Sequence, residues 1–227
     1  MEIFSKKLTR SKLANMMECG RLEPYSTKAE IIKLCDDSKK YNFGVTFSNL
    51  NYIPLIVNEL KDTSTKIGIP IAFPFGATSS EIKIKETKQA IEEGADEVDM
   101  VMNIQKFKSG DYNYVKDDIE GVVKEAKNII TKVIIEACYL TKDEIVKSAN
   151  IIKESGAKFV KTSTGYGTYS ARLTDIILIK ENVDIGIKAA SDIEDIYTCL
   201  KMIEAGATRI GANPEDAIHI LEQYSKL

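Results

Sequence analysis

The chain has 227 residues, 44% of them hydrophobic and 29% charged, and a formal net charge of −3 from 31 basic and 34 acidic side chains. That is globular composition, so disorder is excluded as the main state; apolar runs fall far below the ~18 residues of a membrane span, and without a basic excess or any Trp a nucleic-acid surface is disfavoured. Four widely spaced cysteines (Cys19, Cys35, Cys138, Cys199) and a single histidine, His219, fit a reduced, cytoplasmic chain without a disulfide framework and remove most support for Ser-His-Asp or multi-histidine zinc chemistry.

In chain order, the basic segment with Lys6, Lys7, Arg10 and Lys12 reads as the solvated face of a short helix, with no apolar run and cleavage site behind it to make a signal peptide. Strands are predicted over 13–18, 43–48, 67–73, 97–103, 132–138, 158–163, 184–190 and 209–212. Helices are predicted over 27–40, 50–62, 79–93, 111–128, 141–155, 173–182, 193–205 and 214–225. Ser79 or Ser80 caps the third helix, and Thr141 with Glu144 forms a capping box on the fifth. One phrase recurs at Gly94-Ala95, Gly156-Ala157 and Gly206-Ala207, each after an amphipathic stretch and before a Val-, Ile- or Phe-rich run. Gly there is the left-handed helix C-cap, and the spacings suit two βα units each. Eight strands alternating with helices, with no linker, predict one (β/α)8 TIM barrel over residues 1–227 as a single domain. The runner-up, an open doubly wound sheet, lacks a Gly-x-Gly-x-x-Gly after the first strand.

Three strands break the apolar rule. In Glu97-Val98-Asp99-Met100-Val101-Met102, Asp99 falls on the face opposite Val98, Met100 and Met102; Lys161 lies in the middle of Phe159–Ser163; Lys188 shares a face with Gly186 and Ala190. Lys161 and Lys188 belong to successive strands, so if both point into the barrel their ammonium groups are neighbours. Burial and a second cation each lower a lysine pKa and expose a neutral amine, which a Schiff-base nucleophile needs. An inward carboxylate such as Asp99 can move protons. An interior ion pair that only braces the wall is the bland alternative for one such lysine; three inward charges on three strands favour chemistry. His219, in the last helix, reads as a packing or surface residue. Gly165-Tyr166-Gly167-Thr168 reads as an anion-approaching loop or a tight turn. Phe73-Pro74-Phe75-Gly76 reads as loop structure lining a pocket.

These residues resemble the deoxyribose-phosphate aldolase family. Val160-Lys161-Thr162-Ser163-Thr164-Gly165-Tyr166-Gly167 is similar to its Schiff-base strand and loop. Glu97–Ile104 with Lys108–Tyr112 is similar to its fourth strand and loop, and Gly186-Ile187-Lys188-Ala189 to its second-lysine strand. Met202–Gly211, Phe73–Gly76 and Tyr52–Leu55 fall in register, and the likeness runs from about residue 27 to 213. The resemblance implies a class I aldolase with no metal or organic cofactor. It would cleave 2-deoxy-D-ribose 5-phosphate reversibly to D-glyceraldehyde 3-phosphate and acetaldehyde. Lys161 would form the Schiff base, Lys188 depress its pKa and Asp99 serve the proton relay. Thr162, Gly165, Gly167, Arg172, Asp192 and Gly211 are the candidate substrate-binding residues, and a homodimer is the implied assembly. The chain departs from the pattern at Met17-Glu18-Cys19-Gly20 (Ile-Asp-His-Thr in the family), at Phe47 (often Cys), and at Tyr169-Ser170, Ser191-Asp192 and Ala212–Asp216. The last three changes fall where the family holds phosphate, so weak phosphate recognition is expected, with Asp192, Glu215 and Asp216 as its cause. Two alternatives stay open: a Schiff-base aldolase for an unphosphorylated aldehyde, and a degenerate barrel that only binds a metabolite.

Overall fold

The structure, a computed structural model, describes residues 8–227. Eight parallel strands close on themselves in chain order: β1 Met17–Arg21, β2 Val45–Ser48, β3 Lys66–Ile71, β4 Glu97–Val101, β5 Ile130–Ile134, β6 Phe159–Lys161, β7 Gly186–Ala190 and β8 Arg209–Ala212. Closure is made by β8 lying beside β1, with Ile210 opposite Met17 and Gly211 opposite Glu18. That contact excludes the open doubly wound sheet and gives the (β/α)8 barrel. Among the described residues no helix is long and apolar enough to cross a membrane.

The eight predicted helices are present, from Lys28–Tyr41 to Pro214–Tyr224. Their starts are chemically marked: Thr27 and Thr141 form capping boxes with Glu30 and Glu144, and the Ser79 hydroxyl accepts the Ile82 N–H. Their ends follow the recurring phrase. Gly94, Gly156 and Gly206 have φ of 113°, 85° and 122°, and the Ala95 and Ala207 N–H groups reach back to the Ala90 and Met202 carbonyls at 2.9 and 3.0 Å, as in a Schellman motif.

The start of the chain corrects the sequence reading. Residues 10–16 are helical, not the beginning of a strand: Thr9 accepts the Lys12 N–H, and Leu13 and Ala14 are buried on one side. Arg10 and Lys12 are exposed on it, while Lys6 and Lys7 lie outside the described residues. The first strand therefore begins at Met17, and its inward Glu18 hides the apolar signature that would have marked it. A short helix, Ile104–Lys108, also follows β4, capped by the Asn103 side chain.

Strand alternation divides the barrel into two environments. Ile69, Val98, Met100, Val133, Val160, Ile187 and Ile210 share one buried cluster with helical side chains such as Ile31, Ile56, Ile119, Ile152 and Ile220. The opposite strand faces carry the charged groups. One buried ion pair ties the helical layer to β4: the Lys83 ammonium donates to the Val101 carbonyl at 2.9 Å and to Asp118 at 2.5 Å, with both side chains fully buried. Lys83 belongs to helix Ser80–Glu92 and Asp118 to helix Tyr112–Ala126. Removing one partner strands the other charge, at about 3–5 kcal/mol. Lys83→Met is expected to lower Tm by roughly 6–20 °C in a thermal melt, and Lys83→Met with Asp118→Leu to recover most of that loss.

Candidate active site

Register sets the site. Lys161 lies opposite Lys188, Lys188 opposite Arg209, and Asp99 opposite Lys132. Their inward side chains meet on the Asp99 carboxylate: Oδ2 takes Lys188 Nζ at 2.8 Å and Lys161 Nζ at 3.3 Å, and Oδ1 takes Lys132 Nζ at 3.0 Å. All four are buried. Glu18 from β1 pairs with Lys188, with Lys132 at 3.3 Å and with Arg209 at 3.4 Å. Glu97 pairs with Lys132 and, at 3.5 Å, with Arg209. The two lysines and the aspartate read from the sequence thus converge on one point. Lys132, Glu18, Glu97 and Arg209 join them unannounced.

Charge balance identifies the unusual member. The cluster holds three carboxylates and four basic groups. Counter-ions exist for Lys132, Lys188 and Arg209, which leaves one basic group without a carboxylate of its own. Lys161 is the candidate, because it has only the longest of the three contacts to Asp99 and no other carboxylate within ion-pair distance. Burial, then the Lys188 ammonium, bring its pKa down to about 8 against the opposing pull of Asp99 and Glu18. Lys132 goes the other way: burial alone would lower it, but Asp99, Glu18 and Glu97 hold it above the ordinary lysine value. For Asp99, burial is outweighed by the Lys132, Lys188 and Lys161 ammoniums, which hold it well below the usual carboxylate range.

Phe47 covers the cluster from β2. Its ring centroid lies 4.0, 5.2 and 5.8 Å from the Nζ atoms of Lys188, Lys132 and Lys161, an arrangement that favours cations over the ring face. Gly68 on β3 makes room for it, since a Cβ there would stand 2.3 Å from Phe47 Cζ. Above the lysines a cavity of about 430 Å³ opens at the C-terminal ends of β1, β6, β7 and β8, the end at which barrel enzymes carry their sites. It is lined by Lys161, Lys188, Phe47, Gly165, Asp192 and Gly211, with the segment Leu22–Tyr25 at its mouth.

The loop after Lys161 is held from below. Glu136 takes a left-handed backbone (φ 47°), and its carboxylate accepts the Thr164 N–H at 3.2 Å and the Thr164 hydroxyl. Gly165, at φ 92°, then turns the chain so that Tyr166 faces the cavity while its ring meets Phe73 edge-on at 5.5 Å. This is the place of the Phe73–Gly76 loop: it supports a wall residue.

Not all candidate binding residues reach the cavity. Thr162 is buried behind the wall, its hydroxyl accepting the Ala190 N–H at 3.1 Å. Gly167 packs against Cys138 and Glu136, where a Cβ would stand 2.5 Å from Cys138 Sγ. Arg172 lies over the Tyr169 ring at 3.4 Å. Of the three acidic residues expected to repel phosphate, only Asp192 lines the cavity; Glu215 turns to Arg21 outside it, and Asp216 lies beyond the lining. His219 is exposed on the last helix, as expected, and the four cysteines are free. Among the described residues no group of three or more His, Cys, Asp or Glu is arranged to hold a metal ion.

Comparison with known proteins settles the family. Residues 13–209 match the model of the DeoC/LacD family aldolases. The chain belongs to that family. A deoxyribose-phosphate aldolase of Thermoanaerobacter sp. (strain X514) is 44% identical over 220 residues, covering 95% of this chain and 98% of that one. One from Clostridium tetani is 49% identical over 205 residues, covering 89% and 94%. Among solved structures, the deoxyribose phosphate aldolase of Aeropyrum pernix, described as a unique tetramer, superposes with a TM-score of 0.89 at 26% identity, covering 97% of this chain and 94% of that one. The protonation of the Lys161 amine is measurable. At a pKa of about 8, about a tenth of the molecules carry the neutral amine at pH 7 and most do above pH 9, against roughly a thousandth or less for an ordinary lysine at pH 7. We expect kcat/KM to rise with pH through about 8. Lys188→Met removes the cation that lowers Lys161 and frees Asp99 to raise it, so the rise should move to higher pH; a pH–rate profile of both proteins checks the shift.

Proposed function

We propose that this aldolase breaks a carbon–carbon bond through a Schiff base on Lys161, and that its reaction is the reversible cleavage of 2-deoxy-D-ribose 5-phosphate to D-glyceraldehyde 3-phosphate and acetaldehyde. The observation that carries the chemistry is the shared carboxylate: Lys161 and Lys188 bond the same Asp99 oxygen at 3.3 and 2.8 Å. The reaction itself comes from the name borne by the relatives.

The Lys161 amine attacks the C1 carbonyl of the open-chain sugar, and the carbinolamine loses water to give an iminium. The water just released takes the C3 hydroxyl proton as the C2–C3 bond breaks, and that bond's electron pair enters the iminium to form an enamine while the C3 aldehyde leaves. Protonation at C2 and hydrolysis release acetaldehyde and return Lys161. Asp99, kept ionised by its ammonium neighbours, serves the proton relay, and Lys188 lowers the Lys161 pKa. A barrel that merely binds a metabolite would gain by replacing these buried charges with apolar side chains, which speaks against a degenerate role. The four free cysteines support a cytoplasmic site of action. For assembly we propose a homodimer, on the resemblance to a family whose members are commonly dimers; light scattering distinguishes it from a tetramer.

Lys161→Met fills similar volume without an amine. It is expected to fold, to lose cleavage, and to give no borohydride-trapped adduct by peptide mapping. Turnover near the wild-type level in that variant would end the assignment.

A further inference from the structure

We propose that Glu136 is a positioning residue for the aldolase reaction: its buried carboxylate, outside the cavity, fixes Thr164 and through it the wall that orients the sugar. That wall is Thr164, Gly165 and Tyr166, all of which line the cavity, while Glu136 does not. The proposal rests on the Schiff-base reading, which gives the wall a sugar chain to orient once C1 is bonded to Lys161.

Glu136 sits between two fixed points. The Ile135 N–H bonds the Lys161 carbonyl at 3.0 Å, and the Ala137 N–H bonds the Thr162 carbonyl at 2.9 Å. The residues on either side of Glu136 are thus tied to the chain that bears the nucleophile. Between them Glu136 takes a φ of 47°, a backbone that costs a residue with a side chain free energy and persists only where its surroundings impose it. There its carboxylate meets Thr164. The Thr164 N–H donates to the two oxygens at 3.2 and 3.3 Å, and the Thr164 hydroxyl donates to Oε2. The loop then returns over the same group, since a Cβ at Gly167 would stand 3.0 Å from Glu136 Oε1.

An ionised carboxylate can only accept hydrogen bonds. The Thr164 hydroxyl proton is therefore committed to Glu136, and the hydroxyl oxygen keeps a lone pair for the Tyr166 N–H, which it accepts at 3.0 Å. Tyr166 in turn reaches the loop after β1, its hydroxyl donating to the Leu22 carbonyl at 3.3 Å. One carboxylate thus sets the direction of a chain of bonds that ends on the far side of the mouth. Glu136 is a costly choice for bracing alone: it is buried, and burial pushes its carboxyl pKa up against the pull of the Thr164 donors and of Lys161. A Gln of the same shape would avoid that cost. Its amide, however, would turn a donor toward the Thr164 N–H or take over the Thr164 oxygen that serves Tyr166.

The test applies two probes to wild type, Glu136→Gln, Thr164→Val and the double variant. Borohydride trapping with acetaldehyde reports Schiff-base formation on Lys161, which needs no outer wall; cleavage of 2-deoxy-D-ribose 5-phosphate needs both amine and wall. Glu136→Gln should raise KM for the sugar phosphate about tenfold, with kcat and the acetaldehyde trapping rate within about twofold of wild type. Thr164→Val should also raise KM, and the double variant should lose no more than the larger single loss, because the two side chains act as one unit. A wild-type KM in Glu136→Gln, trapping that falls in step with cleavage as a bracing role predicts, or losses that multiply in the double variant overturns the proposal. If Glu136→Gln does not fold, Glu136→Asp decides, since Asp tolerates the same backbone but withdraws the carboxylate: a raised KM with trapping kept supports the proposal, and any other result overturns it. Trapping in the wild type separates this failure from that of the aldolase reading: an adduct on Lys161 keeps the reading whatever the variants do, and its absence removes both.

Discussion

The Asp99 carboxylate is the contact on which the rest of the site depends. An ammonium group carried into a barrel interior without a counter-ion loses several kcal/mol of hydration, and three lysines arrive there from three adjacent strands. Asp99 meets all of them, one oxygen toward Lys132 and the other toward Lys161 and Lys188. Oδ1 serves Lys132 alone, and Oδ2 is shared by two ammoniums. Lys188 and Lys132 have second carboxylates in Glu18 and Glu97, whereas Lys161 shares an oxygen already taken. Burial and the Lys188 ammonium therefore lower its pKa with only that shared oxygen to oppose them at ion-pair distance.

The fold supplies this order through register. In a closed parallel barrel every second residue of each strand points inward, and hydrogen-bonded neighbours fix which inward residues sit side by side. Lys161, Lys188 and Arg209 form one such row across β6, β7 and β8. A slip of one residue in any of the three strands would turn its charge into the apolar layer beneath the helices, where Lys83 and Asp118 already need each other to be tolerated. Rigid strands thus carry the chemistry, and the loops at their C-terminal ends carry the choice of substrate.

Much of this was legible in the residues. Alternation alone put Asp99, Lys161 and Lys188 on inward faces, and the Gly-Ala phrase marked helix ends whose glycines have the positive φ that phrase implies. Lys132 was hidden by a boundary: with the fifth strand placed at 132–138 it stood at the edge, while the observed strand Ile130–Ile134 puts it in the middle. Glu18 was hidden for the related reason that the first strand begins four residues later than 13–18 implied. Strand ends depend on pairing with neighbours distant in sequence, which a single-strand pattern does not contain. The same holds for direction: Glu215 and Asp216 follow β8 by only three and four residues, yet Arg21 on β1 draws Glu215 away.

Floor and mouth of the cavity are therefore governed by opposite requirements. The floor must hold buried charge, so it balances three carboxylates against three cations and leaves the fourth basic group, Lys161, without a carboxylate of its own. Phe47 completes that floor with a ring face that favours the ammoniums beside it. Its bulk in turn demands the glycine at position 68. The mouth is open to solvent and has no such constraint. A cation at the mouth would also act on the floor: placed within a few ångströms of Lys161 it would lower the amine pKa further and compete for Asp99. With Arg21, Arg172 and Arg209 each tied to a partner, the amine's pKa is set by burial and by the charged strand residues around it.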